Sequence, residues 1–82
     1  MQSSIQLKPL NSLPTLRRGN TGENVEYLQR LLNQERFFLV VDGIFGERTE
    51  AAVKQFQTNH HLLVDGIVGS QTWGALYFDL ID

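Results

Sequence analysis

A chain of 82 residues with seven basic and nine acidic residues and no cysteine holds one domain near the lower size limit for unaided folding, burying only about 60–65% of its unfolded surface. No disulfide or thiolate metal site can assist it, and the redox compartment is left open. The near-neutral charge, scattered apart from Arg17-Arg18, argues against a phosphate-tracking nucleic-acid surface.

No apolar run approaches the roughly 18 residues of a membrane-spanning helix, so no membrane partner is expected. At the N-terminus Ser3, Ser4, Gln6 and Lys8 interrupt what would be the apolar region of an export signal, and on this reading the chain carries none. Residues 1–15 read as an arm, because Pro9 and Pro14 disfavour helix there. Ile5, Leu7, Leu10, Leu13 and Leu16 could lay that arm on the core as extended chain; a partly ordered tail is the alternative.

The first helix is expected from Gly22-Glu23 to Asn33 or Gln34, with Asn20 or Thr21 accepting its first N–H groups. Val25, Leu28, Leu31 and Leu32 fall on one face at helical spacing. Phe37 to Val41 form a five-residue apolar run, suited to a short buried strand or a packed loop. The second helix is expected from Glu47 to Asn59 with an inner stripe of Thr49, Ala52, Val53, Phe56 and His60. The third is expected from Ser70 to Tyr77, capped by Ser70 or Gly69 and contacting the core through Thr72, Trp73, Ala75 and Leu76. Phe78 to Asp82 are apolar enough to fold back on the bundle.

The helices are punctuated by a stretch used twice. Val41-Asp42-Gly43-Ile44-Phe45-Gly46-Glu47-Arg48-Thr49 returns as Val64-Asp65-Gly66-Ile67-Val68-Gly69-Ser70-Gln71-Thr72, 23 positions later. Each copy reads as a turn feeding a helix: Asp bonds to backbone two residues on, Gly accepts positive φ, and the Ile plugs inward. Val25, Leu28 and Gln29 also match Val53, Phe56 and Gln57. A repeated unit of this size cannot bury its apolar face alone. Residues 16–82 are therefore expected to form a small three-helix, mainly α domain, built from two Asp-Gly-Ile-x-Gly turn–helix repeats and an N-terminal helix.

Little in the chain suggests catalysis. There is no cysteine nucleophile, H-E-x-x-H, G-x-S-x-G or phosphate loop. Adjacent His60 and His61 point about 100° apart on a helix and cannot share a metal from one face. Asp42 and Asp65 could be a carboxylate pair, but a role in two copies of one turn explains their repetition. No catalytic residue, metal or cofactor is expected. Among the aromatics, Phe38 and Trp73 are the candidates for a ligand edge beside a polar groove, with a core role open for each.

The segments Leu16-Arg17-Arg18-Gly19-Asn20-Thr21-Gly22, Val25 with Leu28-Gln29 and Leu32, the two Asp-Gly-Ile-x-Gly copies with Thr49, Ala52-Val53, Phe56-Gln57 and Thr72-Trp73-x-Ala75-Leu76 resemble the peptidoglycan-binding domain family of bacterial cell-wall enzymes, over residues 16–77. The resemblance implies a compact three-helix bundle and a non-catalytic role. Such a module holds an amidase, peptidase, transpeptidase or lytic enzyme, in the same or another chain, on the wall. The related fold in matrix metalloproteinase pro-regions carries a cysteine switch that is absent here. The chain departs from the family pattern at Arg36 and His61, where Gly commonly follows helices 1 and 2. A non-Gly residue turning left-handed there costs about 1 kcal/mol, unless the loop takes another path.

The expected function is thus binding of peptidoglycan, through peptide stem or glycan, with Phe38, Asp42, Arg48 and Trp73 as groove residues. Arg48 and Gln71 hold equivalent places at two helix starts. Resemblance implies the cell wall or periplasm, with the cytoplasm open for want of a signal; a monomer is expected. The alternative is a protein-interaction adaptor that docks a partner through the arm or Tyr77-Phe78-Asp79-Leu80-Ile81.

Overall fold

A computed structural model describes residues 6–81. Among these residues three α-helices, α1 (Glu23–Gln34), α2 (Glu47–Asn59) and α3 (Ser70–Leu80), follow a 3-10 turn at Leu10–Ser12. Among the described residues there is no named strand, only two isolated antiparallel bridges, Leu16 to Val68 and Thr21 to Ile44. Nor is any described helix long and apolar enough to cross a membrane.

The core forms where the helical stripes meet. Val25, Leu28, Leu31 and Leu32 of α1 join Ala52, Val53 and Phe56 of α2 and Trp73 and Leu76 of α3, all buried. Gln57 of α2 is buried, while His60, expected on the inner stripe, is the C-cap just past the helix, partly exposed and stacked on Phe56 at 4.0 Å between ring centroids. α3 runs one turn past Tyr77, so the expected fold-back from Phe78 is not seen; Asp82 lies outside the described residues. No Gly or Pro stands between Ala75 and Ile81 to stop the helix. Leu80 packs on the core, and Asp79 Oδ2 meets His60 Nε2 at 2.8 Å.

The three helices start where expected, and Gly69 caps α3 as one of its two expected caps, but α1 is not capped by Asn20 or Thr21. The N-caps are Gly22, Gly46 and Gly69, and none has a side-chain cap bond. Asn20 Oδ1 accepts from Arg17 N instead. The helix ends explain the departures at Arg36 and His61. Phe37 N donates to Leu32 O and Arg36 N to Asn33 O; Leu62 N donates to Gln57 O and His61 N to Thr58 O. Both are Schellman closures, whose C′ residue must be left-handed. Arg36 takes φ 69° and His61 φ 58°, so the path that Gly would follow is kept and its steric cost of about 1 kcal/mol per residue accepted.

Residues 16–22 strap the two repeats together. Leu16 and Val68 exchange both backbone bonds, Gly19 N donates to Phe45 O, Phe45 N to Asn20 O and Gly22 N to Gly43 O. Ahead of the strap the chain lies on α1 and α3. Lys8 N donates to the Tyr27 hydroxyl, which bonds that of Tyr77, which donates to Lys8 O. Trp73 Nε1 donates to Pro14 O at 2.9 Å. Leu13 packs on the core while Leu7 and Leu10 remain exposed; Ile5 lies outside the described residues.

Candidate functional site

Each repeated turn is held by a buried glutamine from the preceding helix. Gln29 Oε1 accepts from Asp42 N and Gly43 N, and its Nε2 donates to Asp42 Oδ1, Ile44 O and Thr49 Oγ1, at 3.0–3.1 Å. Gln57 does the same for the second copy: Asp65 N and Gly66 N donate to it, and it donates to Asp65 Oδ1, Ile67 O and Thr72 Oγ1. Asp42 Oδ1 also accepts from Ile44 N, and Asp65 Oδ1 from Ile67 N. Those backbone donors are the main reason both carboxyls are held below the ordinary carboxylate range. Gly43 and Gly66 both take φ 74°, and a Cβ on Gly43 would come within 3.2 Å of Gly22 O. Each Asp therefore serves its own turn.

The clamp also reverses the expected inward Ile. Ile44 is 55% exposed and Ile67 partly buried, while the next residues, Phe45 and Val68, are fully buried. With the Ile carbonyl pulled to the glutamine, the following side chain enters the core. Gln29 and Gln57 carry no role in a reading of apolar faces. Their signal was recurrence: a Gln beside a core residue, at matching places in two helices.

The two copies differ in the approach to the turn. From the clamp glutamine to Asp takes 13 residues in the first copy and 8 in the second. The extra length gives α1 more chain beyond Gln29 and lengthens the loop that follows. Asn33, in that added turn, accepts from Leu39 N at 2.6 Å and donates to Leu39 O at 2.9 Å, standing in for a strand neighbour. Residues 37–41 are accordingly a packed loop with alternating sides. Phe37 and Leu39 turn inward, whereas Phe38 is 81% exposed and Val40 75%. Phe38 also holds φ 58°, an outlier for a bulky side chain.

This loop walls a groove of about 650 Å³ against the first turns of α2. Phe38, Asp42 and Arg48 all line it, with Glu47, Gln55 and the edge of Gln29. Trp73 does not. It is 2% exposed, its ring lies 6.0 Å from that of Tyr27, and its N–H is taken by Pro14 O. The expectation of a half-exposed Trp at the groove is corrected: the strap and arm cover it. A smaller groove of about 280 Å³ lies at the equivalent place in the second copy, with Gln71 where Arg48 stands in the first. Among the described residues no cluster of His, Asp or Glu could hold a metal.

The family model described as "Putative peptidoglycan binding domain" matches residues 21–76. A spore cortex-lytic enzyme of Bacillus cereus is 41% identical over 75 residues, covering 88% of this chain and 29% of that enzyme. The chain thus spans under a third of that relative's length. The solved SleB N-terminal domain superposes with a TM-score of 0.77 at 37% identity, over 82% of this chain and 93% of that one. A peptidoglycan-binding protein from Clostridioides difficile, crystallised in complex with glutamine hydroxamate, gives a TM-score of 0.76 at 35% identity, over 79% of this chain and 41% of that one. The match of the family model over residues 21–76, with a likeness to the SleB N-terminal domain across 82% of this chain, places it in the peptidoglycan-binding domain family.

Proposed function

We propose that this chain is a non-catalytic module that binds peptidoglycan through the larger groove and so holds a cell-wall hydrolase or transpeptidase, in the same or another polypeptide, on the wall. One observation carries the reading. Phe38 keeps a large ring in water on a left-handed backbone at the groove rim, a cost that folding alone does not explain and that a ligand contact would. Phe38, Asp42 and Arg48 are the proposed contacts. The carboxylates serve their turns, which supports a role without chemistry, and the relatives support a cell-wall setting.

The test is co-sedimentation of the full chain with purified sacculi, beside Phe38→Ala and Arg48→Ala, each checked for folding by circular dichroism. Saturable binding, weakened in a folded variant, is expected. Sedimentation no greater than that of a control protein, across salt and pH, would refute it.

A further inference from the structure

Resting on that wall-binding reading, we infer that the groove takes the peptide stem, as a short peptide bearing both a free amine and a carboxylate, and not the glycan. Among the described residues, Asp42, Glu47 and Arg48 are the groove's only ionisable lining residues, and none of the three enters an ion pair there. Asp42 Oδ1 is occupied by Ile44 N and Gln29 Nε2, while Oδ2 has no partner among the described residues.

Covering unpaired charges with a neutral ligand removes their water and returns no partner charge. Glycan strands whose lactyl carboxyls are amidated to stems are neutral, so sugar laid in this groove returns hydroxyl hydrogen bonds to the exposed Glu47 and Arg48 but no opposite charge. A stem returns charge of both signs. Its carboxylate meets the Arg48 guanidinium, whose planar fork matches carboxylate geometry. Its ammonium meets Glu47, with Asp42 Oδ2 as a second acceptor. Glu47 and Arg48 are neighbours on the first turn of α2, about 100° apart in bearing, so the two charges are held apart as a zwitterion requires. Phe38 and Val40 cover the alkyl parts between. The second groove supplies the internal comparison: with the same clamp, its only ionisable lining residue among those described is Asp65.

The experiment titrates the full ¹⁵N-labelled chain with three probes. These are a synthetic stem peptide with free amine and terminal carboxylate, the same peptide acetylated and amidated at those groups, and chitotetraose. The charged peptide is expected to shift the Phe38, Asp42, Glu47 and Arg48 amides saturably, to bind at least about fivefold tighter than the blocked peptide, and to outcompete the sugar. Arg48→Gln should weaken the charged peptide about two- to tenfold and the blocked one by less. Equal affinity of the two peptides, shifts outside the groove, groove shifts from the sugar alone, or no binding of any probe up to millimolar concentration would each overturn the inference. Sacculi run in parallel separate the failures. Sacculi that still bind leave the wall reading standing without the stem, and sacculi that do not bind remove both.

Discussion

Replacing Gln57 by Met tests whether the glutamine clamp holds the second repeat. Met nearly conserves the volume of a side chain that is 1% exposed, so cavity formation contributes little. Five hydrogen bonds disappear, two accepted from Asp65 N and Gly66 N and three donated to Asp65 Oδ1, Ile67 O and Thr72 Oγ1. Each lost bond is worth about 1 kcal/mol net, and each buried polar group left bare costs about 1–3 kcal/mol. Gly66 is buried whereas Asp65 is exposed, so water replaces only part of the loss, and about 3–5 kcal/mol is expected. A domain of this size has about 4–12 kcal/mol in total, so the variant should lose much of its margin and melt more than about 12 °C lower. Urea unfolding followed by circular dichroism measures it. A loss below about 1 kcal/mol with unchanged m-value would refute the clamp as a structural requirement. Gln57→Glu sharpens the test, because a carboxylate would face three acceptors and its folded pKa would rise. That variant's stability should fall as pH rises above about 4.3, the unfolded Glu value, and recover on acidification.

Two further outcomes are expected. Phe38→Gly should raise stability by up to about 1 kcal/mol by relieving a left-handed bulky residue while weakening sacculus binding; a stability loss, or unchanged binding in the folded variant, would break the link between the strained rim and the ligand. Glu35 is pushed up to about 7 from an ordinary 4.5, by burial first and then by the Asp79 carboxyl beside it, with His60 opposing. A folded pKa above the unfolded one means the folded state holds the extra proton, so this contribution is complete below about pH 4.5 and is lost as pH rises through 7. Wild type should therefore lose urea midpoint between pH 5 and 8 relative to Glu35→Gln, and equal slopes for the two would contradict this.

The sequence alone determined what is periodic and local. Val25, Leu28, Leu31 and Leu32 at helical spacing marked α1, and the twice-used Asp-Gly-Ile-x-Gly marked both turns and the starts of α2 and α3, because Asp and Gly act within a few residues of themselves. The left-handed turns at Arg36 and His61 were legible as places where Gly was missing. Tertiary structure decided whatever depends on partners distant in the chain. It turned Phe45 and Val68 inward in place of the Ile residues, because Gln29 and Gln57 draw in the Ile carbonyls. It extended α3 to Leu80, where Leu80 found the core and Asp79 found His60. It covered Trp73 with Pro14, 59 residues away, and so removed it from the groove that Phe38, Asp42 and Arg48 share. Side-chain pattern reports which residues avoid water, but which of several apolar residues succeeds depends on which backbone groups elsewhere need satisfying, and that is settled only when the chain has closed on itself.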